Sequence, residues 1–371
     1  MGEYNKKNIL IVDDSALMRR FISDIIVSDD RFRVKDLAKN GMEALDLIAV
    51  NKYDAVMMDI NMPVMDGIET LKMIQKKKYD VKVIIVSTLA EEGAKETIAA
   101  LEYGAFDFVK KPTAYAEVKG ESFRTEILKA VSIACGDTGN AETVASARKE
   151  KAGVTQPFAN QFTNRVRKNN TTKGNSKIVA LACSTGGPKS LKEVIPFLPA
   201  ALDAPVVMVQ HMPAGFTKSL AERLNELSAI NVKEAEDGDI LRKGWVYLAP
   251  GGRHIRVRSE VGGVHSIALS DEPAIDGLRP CANIMYESLC DSKYDEVVCV
   301  VLTGMGADGT KGISALKKEK DIYVIAQDQA SSVVYGMPKA VAVAGLVDQV
   351  EPLNRVADAI TKNTGVLKDG R

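Results

Sequence analysis

The sequence predicts an α/β protein of two domains. The first is a flavodoxin-like five-stranded parallel sheet; the second is a doubly wound, mainly parallel α/β domain with an antiparallel hairpin. Three observations carry this. Short apolar runs alternate with segments of helical period in both the first and the last stretches of the chain. Between them, residues 136–175 turn to Gly, Thr, Asn, Ala, Lys and Arg with few large apolar residues, as a linker does. A length of 371 residues is also long for one core and comfortable for two. The expected division is residues 1–125, the linker 136–175, and residues 176–371.

In the first domain, Ile9 to Val12, Ala55 to Met58, Val83 to Val86 and Phe108 to Val109 read as buried parallel strands, and Arg33 to Ala38 as a weaker one. Ser15 to Val27, Met42 to Val50, Gly67 to Lys77, Glu91 to Tyr103 and Ser122 to Ala134 place polar and apolar residues at helical spacing. Five βα units in succession wind one parallel sheet. The pattern resumes at Lys177, with strands at Ile178 to Ala182, Val206 to Gln210, Trp245 to Leu248, Val297 to Thr303 and Tyr323 to Ala326. Arg253 to Leu269 alternates like an antiparallel hairpin turning near Gly262-Gly263. Helices are expected over Lys189 to Phe197, Phe216 to Leu227, Cys281 to Ser292, Gly309 to Lys318 and Met337 to Ala344.

Composition excludes several functions. The 49 basic and 49 acidic residues cancel, whereas a large nucleic-acid footprint takes a basic surplus. The basic stretch Arg165 to Lys173 reads as a solvated part of the linker, with docking of a partner as the alternative. Cys135, Cys183, Cys281, Cys290 and Cys299 are odd in number and without CxxC spacing. Reduced thiols in the cytoplasm are therefore expected rather than a disulfide framework or a zinc site. Met1 to Asn8 has no signal-peptide core, and no uncharged apolar run reaches about 18 residues, so no membrane insertion is expected.

Chemistry gathers at strand ends. Asp13 and Asp14 follow the first strand and Asp59 ends the third. In a flavodoxin-like order these strands are neighbours at the switch point, where ligands bind. Carboxylates so crowded repel one another unless a cation sits among them, and an all-oxygen set suits a hard ion such as Mg²⁺. Ser87, with Thr88 beside it, and Lys111 end the fourth and fifth strands, where a hydroxyl and an ammonium can hold phosphoryl oxygens.

The text ILIVDDS, VMMDINMPVMDG, VIIVSTLA and FDFVKKP resembles the receiver domain of two-component response regulators over roughly the first 125 residues. The resemblance implies Asp59 as phospho-acceptor, with Asp13, Asp14 and the backbone carbonyl of Asn61 completing a Mg²⁺ site. It implies Ser87 and Lys111 as sensors of the phosphoryl group, and Phe108 as the aromatic residue that moves with the switch.

In the second domain, Ser184 lies on a Gly-rich turn between a strand and a helix, CSTGGP. Such a turn brings backbone N–H groups close to a substrate, and a helix N-terminus favours developing negative charge. A serine nucleophile needs a base, and the histidines are His211, His254 and His265. His211 ends a strand and is favoured. His254 follows Gly251-Gly252-Arg253 and could line the site; His265 reads as a strand residue of the hairpin. Asp308, in MGADG after another strand, could orient the imidazole or cap the helix that follows. The order Ser, His, Asp and the absence of GxSxG set this apart from the α/β-hydrolases. Neither GxGxxG nor GxxxxGK[ST] is present to indicate a nucleotide site.

CSTGGP, QHMPAGFT, EAEDGD, YLAPGG, LTGMGADG and AQDQASSVVYGMP together resemble the catalytic domain of the chemotaxis protein-glutamate methylesterase (CheB) family, across about residues 176 to 350. That implies Ser184 as nucleophile, His211 as general base and acid, and Asp308 as its orienter. It implies the Met305 backbone N–H in the oxyanion hole, Thr185 lining the site, and no cofactor for the hydrolase. Cys183 stands where the family commonly has alanine, a small packing residue whose thiol raises the prospect of oxidative sensitivity. The implied function is phosphorylation-activated hydrolysis of glutamate methyl esters, and deamidation of glutamines, on methyl-accepting chemoreceptors. A histidine kinase would be the phosphoryl donor. A tethered, unphosphorylated receiver would partly cover the mouth of the hydrolase site. A non-catalytic adaptor that binds receptors is the alternative; a DNA-binding regulator is disfavoured because no compact helix-turn-helix pattern is visible.

Overall fold

Apolar runs without polar alternation need cover on both faces, and the N-terminal sheet supplies it. The computed structural model describes residues 6–88, 91–112, 120–136 and 176–367, and the chain divides into two units, Met1–Val144 and Ala145–Arg371. Residues 137–175, which hold nearly all of the expected linker and its basic stretch, lie outside the described residues.

The N-terminal unit runs β1 (Lys7–Val12), α1 (Ala16–Val27), β2 (Phe32–Ala38), α2 (Gly41–Val50), β3 (Ala55–Asp59), α3 (Gly67–Lys77), β4 (Val83–Ser87), α4 (Glu91–Glu102), β5 (Asp107–Lys110) and α5 (Glu121–Ala134). The sheet order is β2-β1-β3-β4-β5, and every pairing is parallel. β1 and β3 are thus neighbours, as the switch-point reading requires. β2 buries only Phe32 and Ala38, which explains its weak apolar signal. Side-chain caps start three helices: Ser15, Asn40 and Asp66 accept from the backbone N–H groups of Met18, Glu43 and Glu69, each worth about 1 kcal/mol. Ile9, Ile11, Ile22, Ile26, Met57, Ile84 and Ile127 form the core between sheet and helices.

The C-terminal unit runs β6 (Lys177–Cys183), α6 (Gly187–Val194) with a 3₁₀ turn to Phe197, β7 (Val206–Gln210), α7 (Phe216–Leu227), β8 (Asn231–Glu234), β9 (Trp245–Leu248), β10 (His254–Ser259), β11 (His265–Ser270), α8 (Ala282–Ser288), β12 (Glu296–Val301), α9 (Thr310–Glu319), β13 (Asp321–Gln327), α10 (Met337–Val343), β14 (Gln349–Glu351) and α11 (Leu353–Thr364). Seven strands form one sheet in the order β14-β13-β12-β6-β7-β9-β8, and β10 and β11 pair antiparallel as expected. Tyr286 is fully buried against the sheet, its hydroxyl donating to the carbonyls of Val300 at 3.0 Å and Ala180 at 3.3 Å.

Several boundaries differ from the sequence reading. β12 stops at Val301 rather than Thr303, and the Thr303 N–H bonds the Gln327 side chain at 2.8 Å in place of a strand. α8 ends at Ser288, where Leu289 and Cys290 tighten into i→i−3 bonds. β8, β14 and α11 were not anticipated. None of the five cysteines is in a disulfide; Cys183, Cys281 and Cys299 are buried, and Cys135 and Cys290 are half-buried. Among the described residues, no helix is long and apolar enough to cross a membrane.

Candidate functional site

β12, β6 and β7 are adjacent and parallel, so their carboxyl ends lie side by side, and the turns leaving them carry Asp308, Ser184 and His211. The chain placed these residues far apart; the strand order brings them together. His211 Nε2 lies 2.8 Å from Asp308 Oδ2. With the carboxylate ionised, Nε2–H donates, and Nδ1 is left as the acceptor. No hydrogen bond joins Ser184 Oγ to His211 among the described residues, although Ser184 is half-buried and open to solvent. The base–carboxylate half of the expected triad is therefore formed in this structure and the serine–base half is not.

Asp308 is 8% exposed and well supplied with donors. Its carboxylate accepts from the backbone N–H groups of Ala282 at 2.6 Å, Asn283 at 3.0 Å and Gly309 at 2.9 Å, and from the Cys281 thiol at 3.2 Å. Burial alone would raise its pKa; the His211 contact and the backbone donors outweigh burial and push it down to about 2. The helix it caps is α8, not the following helix α9, whose N-cap is Gly309 with no side-chain bond.

Thr185 is buried, and its carbonyl accepts from Thr303 Oγ1 at 2.9 Å. The carbonyl of Gly304 accepts from the N–H groups of Gly336 and Met337 at 3.0 and 2.8 Å. A Cβ on Gly304 would lie 2.8 Å from the Ser184 Cβ, so glycine here is what lets the Met305 turn approach the serine. The Met305 N–H has no hydrogen-bond acceptor among the described residues.

The other histidines are structural. His254 is completely buried; its Nδ1 accepts from Cys281 N–H at 3.2 Å and its Nε2 meets the Pro273 carbonyl at 3.1 Å. Both ring nitrogens are committed, so the idea that it could act at the site does not hold. His265 stacks on Tyr294 at 3.9 Å between ring centroids.

In the N-terminal unit, carboxylate oxygens of Asp13, Asp14 and Asp59 lie within 4.8 Å of one another. Lys111 Nζ sits 2.6 Å from Asp59 Oδ2 and 2.8 Å from Asp13 Oδ2. Burial pushes the Asp59 carboxyl up, against the pull of Lys111. Burial would likewise lower Lys111, but Asp59 and Asp13 outweigh it and hold its pKa high. Asp13 Oδ2 is buried, and its partner is the Lys111 ammonium. A crowded oxygen set of this kind fits a small hard divalent cation. Ser87 is buried, its Oγ donating to the Gly93 carbonyl at 3.3 Å, while Thr88 is exposed. Phe108 is half-buried on β5; Asn61 is exposed, its side chain turned to Glu96 at 2.9 Å.

Residues 179–360 match the family model described as CheB methylesterase, and residues 9–121 match that of the response regulator receiver domain. A Syntrophomonas wolfei protein named protein-glutamate methylesterase/protein-glutamine glutaminase 1 is 40% identical over 96% of this chain and 98% of its own. A Geobacillus kaustophilus protein named protein-glutamate methylesterase/protein-glutamine glutaminase is 41% identical over the same shares. The chain belongs to the CheB methylesterase family. The crystal structure of the Thermotoga maritima CheB methylesterase catalytic domain is 41% identical, covers 51% of this chain and 100% of that one, and has a TM-score of 0.49.

This CheB-family chain also holds groups that sequence reasoning did not single out. Asn283 Oδ1 accepts from the N–H groups of Gly309 at 3.0 Å and Gly312 at 2.8 Å, fixing the turn that carries Asp308. Gln210 lies between the turns of Ser184 and His211. Neither contact has a spacing signature, because each is a side-chain amide reaching backbone across the fold. Cys183 is sealed, and burial pushes its thiol far above the usual range, so it is an inert packing residue and the suggested oxidative sensitivity does not hold.

Proposed function

We propose that Ser184 is the nucleophile of this chain and attacks the side-chain carbonyl of a glutamate methyl ester on a methyl-accepting chemoreceptor. The observation that carries the reading is the 2.8 Å contact of His211 Nε2 with Asp308 Oδ2 on a strand end adjacent to that of Ser184. His211 Nδ1 takes the hydroxyl proton, and Asp308 stabilises the imidazolium that results. The Ser184 Oγ–carbonyl bond forms, methanol leaves with the proton from His211, and water then cleaves the acyl-enzyme by the same route. The unengaged Met305 N–H supports its part in holding the oxyanion, with Thr185 beside it. Glutamine side chains react likewise, with ammonia as the leaving group.

Control belongs to the N-terminal unit. Asp59 accepts a phosphoryl group from a histidine kinase of the same pathway, with Asp13, Asp14 and Asn61 completing a Mg²⁺ site; the cation neutralises phosphoryl charge when bound. Ser87 and Lys111 hold the phosphoryl oxygens and Phe108 responds to them. Phosphorylation then shifts the population towards an active state. Five cysteines outside any disulfide agree with the cytoplasm as the compartment.

The test is methanol release from methylated receptor membranes, with and without a small phosphodonor and Mg²⁺. Release abolished by Ser184→Ala and raised by the phosphodonor is the expected result. Undiminished release from Ser184→Ala would reject the nucleophile, and would leave receptor binding without catalysis as the chain's role.

A further inference from the structure

Gln210 is the last residue of β7 and is 2% exposed. A buried amide at the end of an otherwise apolar strand is costly unless its polar atoms are bonded, and here all are engaged. Nε2 donates to the Ser184 carbonyl at 3.0 Å and to the His211 carbonyl at 3.0 Å. Oε1 accepts from the Cys183 thiol at 3.0 Å. Because both partners of Nε2 are carbonyls, the orientation of the amide is settled by its surroundings. The neighbouring helix start is shaped around it, since a Cβ on Gly187 would stand 1.8 Å from Oε1.

The sheet ladder alone does not hold these two turns together. Its last rung is the His211 N–H on the Cys183 carbonyl; beyond it the strands part into the turns that carry the two side chains. We propose that Gln210 is a positioning residue. Its amide clamps the backbone of Ser184 to that of His211, and so sets the distance over which the proton must pass. It touches neither reacting atom. The inference rests on the reading of Ser184 and His211 as nucleophile and base. It matters because Ser184 Oγ has yet to engage His211 in this structure, so the reactive alignment depends on how closely the two backbones are held. A misplacement of about 1 Å can cost roughly 10²-fold in rate.

The experiment uses the full chain and methanol release, with rates normalised to the folded fraction. Gln210→Met keeps the volume and removes both donors; Gln210→Glu keeps the shape and can donate only when protonated. Ser184→Ala runs in parallel. Gln210→Met is expected to lower kcat about 10²-fold while KM stays within about twofold. Gln210→Glu is expected to lose activity relative to the parent as pH rises, because its buried carboxyl surrenders its single donor on ionising. A merely structural role would lower the folded fraction without splitting kcat from KM or bending the relative pH profile. If Ser184→Ala is inactive while both Gln210 variants keep kcat within threefold at every pH, the clamp is refuted and the nucleophile stands. If Ser184→Ala is active, the reading beneath the clamp is refuted too. Should Gln210→Met fail to fold, the pH dependence of Gln210→Glu decides.

Discussion

Asp308→Asn removes a charge without removing a side chain, and the structure indicates what that costs. His211 gains positive charge as it takes the serine proton, so its attraction to Asp308 grows towards the transition state. With Nε2 and Oδ2 at 2.8 Å the charge centres are about 4 Å apart, which at an effective dielectric constant of about 20 is worth roughly 4 kcal/mol. At about 1.4 kcal/mol per tenfold, kcat falls about 10³-fold. The surroundings add a second fault. Oδ1 faces the N–H groups of Asn283 and Gly309, and Oδ2 faces those of Ala282 and His211, so an amide NH₂ at either position meets donors. If it turns towards His211, Nε2 must become the acceptor and Nδ1 the donor, which is the wrong tautomer for taking a proton from Ser184. Methanol release at saturating substrate, with folding followed by circular dichroism, is the assay. A kcat within tenfold of the parent, in a folded variant, would refute the carboxylate's role.

Acid should weaken the C-terminal unit through the same group. Asp308 has a folded pKa of about 2 against an ordinary 3.8, so its stabilisation is complete above about pH 4 and is lost as pH falls through 2. It amounts to about 2 kcal/mol; denaturant unfolding of the parent and Asp308→Asn between pH 5 and 2 should show the difference closing. Asp59→Asn should abolish both radiolabel uptake from a small phosphodonor and the accompanying rise in methanol release, leaving basal release unchanged; retained uptake would assign the acceptor elsewhere. His254→Phe should cost about 2 kcal/mol in unfolding free energy, as two buried hydrogen bonds go. It should leave the pH midpoint of methanol release where it was, and a moved midpoint would return His254 to the chemistry.

Most of the fold was legible because parallel strands buried on both faces leave continuous apolar runs such as Val206 to Gln210, whose bounds the structure reproduces. Edge elements left weaker traces. β8 buries only Val232, and the three residues of β14 are all half-buried. α11 packs a face of Val356, Ala357, Ala359 and Ile360, small for the most part, and begins directly after Pro352. Strand-end chemistry was legible because residues at successive βα turns must converge once the strands are parallel neighbours. What escaped was the support: Gln210 and Asn283 act through backbone groups 26 and 29 positions away, the Cys281 thiol reaches the Asp308 carboxylate 27 positions on, and such contacts leave no period or motif. His254 looked available because a glycine-rich turn precedes it; only its complete burial and doubly bonded ring show otherwise.

The burial of the cysteines has a practical consequence. Three thiols are sealed inside the C-terminal unit, and the two half-buried ones fall one to each unit, Cys135 at the C-cap of α5 and Cys290 just beyond α8. Maleimide dyes added to the unaltered chain would therefore have one half-buried thiol in each unit to react with. Fluorescence energy transfer in the molecules that carry one donor and one acceptor would then report whether a phosphodonor changes the distance between the dyes.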